Sequence, residues 1–199
     1  MQTNIIWTGR LYHSMENCIL TKTGTGSEII STIIGDYANQ IYKIDYRICA
    51  NLKWETTFVN IRTQFDNLVN AMTLEKKDGK WSLNGEPKAE LGNVPDIDIS
   101  LTPSTNTLAI NRLQLKDGDR QVIEVLYFDI FEKQIKLVKQ VYGRLTRNQY
   151  VYENYDGSFK AELIIDEQGL VVDYPELFEM TTKRESSYSQ YEHLLQQRY

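Results

Sequence analysis

Alternation of bulky or β-branched residues with polar ones recurs along the chain: IYKIDYRI at 41–48, TFVNIRT at 57–63, DIDISL at 96–101, QVIEVLYF at 121–128 and FKAELII at 159–165. A strand sends successive side chains to opposite faces, so this period belongs to sheet with one face on a core and does not fit a helix. In DIDISL it places Ile97, Ile99 and Leu101 inward and Asp96, Asp98 and Ser100 outward. Turn signals separate the runs, clearest at Asp78-Gly79, Asn84-Gly85, Asp117-Gly118 and Asp156-Gly157, because Asx and Gly accept the positive φ of tight hairpins. The spacing predicts a mainly β domain of roughly ten or more antiparallel strands with little helix. So wide a sheet must dispose of its edges and second face, either by splitting into a sandwich or by curling into an incompletely closed roll. A sandwich fills its interior with side chains, whereas a roll leaves room for a ligand.

At 199 residues the chain fits one domain, since single all-β domains run to about 200 residues. The β domain is expected over residues 1–180. Pro103 ends the DIDISL strand, lacking the N–H a ladder needs, and 102–113 is read as a short helix or an irregular crossing. From Thr181 the chain turns polar, so 181–199 is expected to be an appendage, with an amphipathic helix starting near Ser186 or Ser187.

Several functions are disfavoured. A net charge of -5 and a pI near 5.2 give no attraction to nucleic acid or anionic lipid, both of which need clustered Lys and Arg. MQTNIIWTGRLY is unlike a signal peptide and no apolar run suffices to span a bilayer, so a cytoplasmic protein is expected. Cys18 and Cys49 with no Asn-x-Ser/Thr sequon give no sign of an oxidising compartment. His13 and His193 are the only histidines, and His13 with Cys18 lacks the paired spacing of a zinc site. Neither metal nor cofactor is expected. A nucleophile triad needs a histidine base, and there is no G-x-S-x-G elbow. KTGTGSE at 22–28 is a glycine-containing turn and not a phosphate-binding loop. Asp96 and Asp98 stand two apart on one strand face, a spacing of about 7 Å that a glycosidase pair can use; on a polar face such carboxylates are ordinarily just solvated.

The aromatic content is more informative. Thirteen tyrosines, three tryptophans and six phenylalanines suffice to line a cavity with apolar walls and hydroxyl groups for a polar head. Arg47, Arg62, Arg112 and Arg144 lie in or beside strand-like runs. Arg47 shares a strand face with Asp45, which makes a surface ion pair its simplest role and an anchor for an anionic head the alternative. Trp7, Trp54 and Trp81 fit ordinary strand packing, Asn106 fits a turn cap, and Asp173-Tyr174-Pro175 fits the end of the last strand.

Three stretches carry a family resemblance: IIWTGRLYHSMENCIL near the start, DIDISLTPSTNTLAINRL in the middle and LIIDEQGLVVDYPELFEM near the end. In this order, from Trp7 to Phe178, the chain resembles the putative glycolipid-binding family of bacterial proteins. The resemblance implies a spiral β-roll, similar in shape to the half-open sheets of carriers that ferry lipoproteins. Its pattern covers Trp7, Arg47, Trp54, Thr105, Asn106, Arg112, Arg144, Asp173 and Tyr174. Ala109 stands where the family commonly has proline, which implies a looser or more helical segment. No catalytic residue transfers. The leading expectation is a non-enzymatic protein that holds a glycolipid or fatty-acid-like molecule in a curved sheet, with Arg47, Trp54, Asn106, Arg112, Arg144 and Tyr174 as candidate ligand-binding residues. Two alternatives stand beside it: a structural or protein-interaction module, and a carbohydrate- or lipid-modifying enzyme using Asp96, Asp98 or Asp173. Thr105, Asn106 and Arg112 are read either as ties across a strand crossing or as the lining of a ligand mouth.

Overall fold

The computed structural model describes residues 1–186. Each alternating run forms a strand. β1 (Gln2–Gly9), β2 (Ser14–Lys22), β3 (Gly26–Tyr37), β4 (Gln40–Asn51), β5 (Thr56–Phe65), β6 (Leu68–Lys77), β7 (Lys80–Leu83) and β8 (Glu86–Pro87) make one antiparallel meander. A 3-10 turn at Ala89–Leu91 leads to β9 (Asp96–Ile99) and helix α1 (Ser104–Leu113). A second meander follows: β10 (Arg120–Asp129), β11 (Gln134–Thr146), β12 (Gln149–Asn154), β13 (Lys160–Ile165), β14 (Val171–Tyr174) and β15 (Phe178–Ser186). β15 pairs with β1 and joins the meanders into one sheet of fifteen strands, running from β8 to β1 and then from β15 to β9.

The turns follow their chemistry. Asp78-Gly79 and Asn84-Gly85 take φ values of 50° and 73°, and 52° and 87°, the doubly positive pattern of two-residue hairpins. Ala38-Asn39 does the same at 51° and 62° without a glycine, so composition alone did not flag the β3–β4 turn.

Chain connectivity forces the curl. β8 and β9 lie at opposite ends of the sheet; laid flat, so many strands would span roughly 65–70 Å. The link from Pro87 to Asp96 reaches at most about 30 Å. The edges are therefore drawn towards each other, and the link is pinned across the first meander. Thr56 N–H donates to the Pro95 carbonyl at 2.8 Å, and Trp81 Nε1 donates to the Val94 carbonyl at 3.0 Å. The result is a roll that hydrogen bonds do not close.

α1 fills its middle. Residues from Ser104 to Ile110 are all buried, so the first two turns of the helix are enclosed by protein, while Asn111, Arg112 and Leu113 are half-buried. Leu108 belongs to the core shared by the first meander, β9 and part of β10, while Ala109 and Ile110 belong to the core of the second meander. The segment is helical, with Pro103 preceding its first turn.

Several expectations need correction. β9 and β10 are parallel, because the crossover through α1 returns the chain in the same direction. Asp96 and Asp98 do not face solvent: Asp96 is 1% exposed and Asp98 is enclosed beneath α1. Both faces of β9 are covered, so alternation there separates two interior surfaces of different chemistry. Finally, β15 continues past Thr181 to Ser186: pairing with β1, out to Gln2↔Ser186, satisfies the backbone of a stretch that has no apolar side chain. Tyr174-Pro175 ends β14, which is not the last strand. The tail helix expected beyond Ser186 lies outside the described residues.

Gly35 faces Tyr42 across β3 and β4, and a Cβ there would lie 2.6 Å from the ring's Cζ and Oη. That ring packs over the glycine and donates from its hydroxyl to the Tyr12 carbonyl at 3.1 Å. Gly35→Ala is expected to cost about 1–3 kcal/mol through overpacking, read from the urea midpoint. An unchanged midpoint would mean that the ring shifts without penalty.

Candidate functional site

A cavity of about 630 Å³ opens between α1, β9 and the second meander. Its inner end is polar: Asp98 from β9, Gln140 from β11 and Asn106 from α1. Tyr127, Tyr152, Phe159, Tyr174, Leu177 and Phe178 form most of the wall. Leu11 and Tyr12 contribute one part of the rim, and Lys139, Tyr155 and Asp156 another.

Asp98 is the chemical centre. Thr105 Oγ1 donates to its Oδ1 at 3.0 Å, and Gln140 Nε2 to its Oδ2 at 2.6 Å. It is surrounded by protein yet keeps a partly accessible edge where it opens on the cavity. Burial pushes its carboxyl above the ordinary range, and the hydrogen bonds from Gln140 and Thr105 draw it back. Burial and then the Asp98 charge push the nearby phenols up, Tyr127 to about 12 and Tyr142, Tyr152 and Tyr174 in the same direction. These tyrosines therefore remain neutral donors and acceptors at physiological pH.

The rings form a connected series. Tyr12 and Phe178, Phe178 and Tyr174, Tyr174 and Phe159, Phe159 and Tyr152, and Tyr152 and Tyr142 have centroids 6.0, 6.0, 6.2, 6.1 and 5.4 Å apart. Asn106 Nδ2 donates to Tyr142 Oη at 2.8 Å beneath them.

The six candidate ligand residues do not gather in one place. Asn106 and Tyr174 line the cavity; Arg47, Trp54, Arg112 and Arg144 do not. Arg47 is exposed and pairs with Glu28 at 2.6 Å, not with Asp45, because Glu28 on β3 lies across the strand boundary. Asp45 instead takes Lys43 and the Thr32 hydroxyl. Trp54 sits in the β4–β5 turn at φ 63° with Lys22 Nζ 5.1 Å from its ring centre. Arg112 forks onto Asp96, Nε to Oδ1 at 2.7 Å and Nη2 to Oδ2 at 2.5 Å. Arg144 binds the Leu115 carbonyl at 2.7 Å and pairs with Asp117 at 2.9 Å. Asp173 pairs with Arg10 at 3.0 Å on the surface. Trp7 and Trp81 are core residues, each donating its indole N–H to a carbonyl. Thr105 and Arg112 tie α1 to β9, while Asn106 ties α1 to β11 and also faces the cavity.

Two functional groups escaped notice in the sequence. Gln140 shares its strand parity with Val138 and Tyr142, which marks it as inward-facing. Glu16 shares the parity of Ser14, Cys18 and Leu20 in SMENCIL, and it is 2% exposed. Its Oε1 accepts from Ser31 Oγ at 2.7 Å, from Thr102 Oγ1 at 3.0 Å and from the Tyr46 hydroxyl, while Oε2 has no hydrogen-bond partner among the described residues. Among the described residues no group of three or more His, Cys, Asp and Glu side chains is placed to hold a metal ion. No helix among them is long and apolar enough to cross a membrane.

A single sheet curled around a buried helix and an aromatic, carboxylate-bearing cavity defines an incompletely closed β-roll. The chain belongs to the family described as "Putative glycolipid-binding", whose model matches residues 4–180. It is similar to the crystal structure of a DUF1089-family protein from Pseudomonas aeruginosa, at 34% identity and a TM-score of 0.75, over 83% of this chain and 91% of that one. A β-barrel-like protein of the domain of unknown function DUF1849 from Brucella abortus shares the fold at 8% identity and a TM-score of 0.52, over 94% of this chain and 98% of that one. No curated protein matches the chain.

Proposed function

We propose that the protein binds one amphipathic, glycolipid-like molecule in the cavity and does not transform it. The apolar part lies along Phe159, Leu177 and Phe178, and the polar head reaches Asp98, Gln140 and Asn106. The observation that carries this reading is the cavity itself, with apolar aromatic walls converging on a few buried polar groups, and a volume in the usual range for small-molecule sites. The family name supports the same reading. Among the described residues no arginine lines the cavity, so a phosphate or carboxylate head finds no bidentate partner among them.

Titration of octyl glucoside into protein stripped of bound lipid is expected to show one site by calorimetry. Val138→Trp, which places an indole in the cavity wall, is expected to weaken binding at least about tenfold while the circular dichroism spectrum is retained. Absence of binding to the wild type, or equal affinity in the blocked variant, would count against the cavity as the site.

A second reading is carboxylate catalysis on the same ligand, and one observation favours it: Asp98 faces a concave pocket with its carboxyl raised by burial. Asp96 is neutralised by Arg112 and Asp173 is held by Arg10. Release of glucose from octyl glucoside, abolished in Asp98→Asn, would move the assignment to an enzyme.

A further inference from the structure

Asp96 and Asp98 lie on the same face of β9, two residues apart, yet only one has a counter-charge. Asp96 is capped by the Arg112 guanidinium. Asp98 receives only neutral donors, from Thr105 and Gln140, with no Lys or Arg of the described residues paired to it. A buried carboxylate without a cation is costly, because neutral hydrogen bonds replace only part of its hydration.

Gln140 orients that carboxylate. Its Nε2 must face Asp98, since its other amide atom would set oxygen against oxygen. That orientation turns Oε1 away from the carboxylate, where it is wholly buried and without a hydrogen-bond partner among the described residues, so of the two side chains it is Asp98 that opens on the cavity. The aromatic faces of Tyr127, Tyr152 and Tyr174 in the same wall carry negative quadrupoles, which attract cations and repel anions. Lys139, the one cation in the lining among the described residues, is exposed at the rim with Nζ 5.6 Å from the Tyr155 ring centre.

We propose that the inner end of the cavity is an ammonium subsite: a protonated primary amine on the ligand head donates to the Asp98 carboxylate, among the tyrosine rings. This rests on the reading of the cavity as an amphiphile site and narrows its ligand class. The occupant is a chain bearing an amine beside hydroxyls, the chemistry shared by amino-sugar lipids and long-chain amino alcohols. Anionic heads are excluded by the same carboxylate.

The test compares octyl glucoside, octyl 2-amino-2-deoxyglucoside, 2-aminodecan-1-ol and octanoate by calorimetry at pH 7, on the wild type, Asp98→Asn and Gln140→Met. In the wild type the amino glucoside is expected to bind at least about tenfold tighter than the glucoside, the margin of a charge-assisted hydrogen bond, and octanoate weakest. That ratio is expected to fall close to one in Asp98→Asn and to persist in Gln140→Met, which leaves the carboxylate in place. Tight binding of the amino glucoside without the amino alcohol would assign the source to amino-sugar lipids, and the reverse to amino alcohols. Equal affinity for the amino and hydroxyl probes in the wild type, or a preference that survives Asp98→Asn, would overturn the ammonium subsite and leave the cavity reading intact. Failure of every probe to bind native protein would overturn both.

Discussion

Arg112→Ala is expected to lower the free energy of unfolding by about 3–5 kcal/mol, the cost of breaking a buried ion pair and leaving one charge behind. Asp96 is 1% exposed and both its oxygens are taken by the Arg112 fork. Burial pushes its carboxyl up and the guanidinium draws it back. Without Arg112 the chain must either bury a bare carboxylate or protonate it. A loss of this size is a large part of a typical domain's total of about 5–15 kcal/mol. Arg112→Lys keeps the charge but not the planar fork and is expected to lose less. Asp96→Leu with Arg112→Met removes both charges and is expected to recover most of the loss. Urea denaturation of the four proteins at pH 7 decides the matter, and a loss below about 1 kcal/mol in Arg112→Ala would show that Asp96 finds solvent instead. The pair also bears on the site, because with Thr105 it fixes α1 over the strand that carries Asp98.

The sheet was legible because alternation is a local signal: every run with period two became a strand, and the Asx-Gly pairs at 78–79 and 84–85 became the hairpin turns they resembled. The interior was not legible. DIDISL alternates whether its polar face meets water or a buried helix, and only the passage of α1 across β9 makes Asp96 and Asp98 interior groups. The partners of the arginines depend on strand register: Arg47 lies opposite Ile30 and takes Glu28, two residues along the neighbouring strand, which its own strand cannot reveal. Asn106 and Tyr174 were reachable through the family pattern, and the structure brings both to the cavity. Gln140 carried a parity signal, but a glutamine between Lys139 and Val141 reads as surface until β11 is known to be covered.

Glu16 is expected to make stability fall as pH rises from about 5 to 8. Burial lifts its carboxyl from 4.5 to about 7, against hydrogen bonds from Tyr46, Ser31 and Thr102 that pull it down. The folded protein thus keeps a proton that the unfolded chain has already released. The resulting contribution is fully present below the unfolded value of 4.5 and is lost as pH rises through about 7. A shift of this size corresponds to roughly 3 kcal/mol as an upper bound. Cys18 and Tyr46, the titratable neighbours, are themselves pushed well above their ordinary values and stay protonated across the window. Glu16→Gln keeps one oxygen for the three hydroxyl donors and cannot ionise. It is expected to match the wild type near pH 5 and to exceed it at pH 8, so the difference between the two urea curves isolates this residue from every other carboxylate. Glu16→Ala strips the acceptor from three buried hydroxyls and is expected to be weaker at both pH values. A difference curve that stays flat from pH 5 to 8 would mean that Glu16 is ionised throughout. Thr102 both donates to Glu16 and lines the cavity, so ionisation loads the joint where the first meander meets the turn into α1. The cost of the buried carboxylate is set at the boundary between the packed half of the roll and the hollow half.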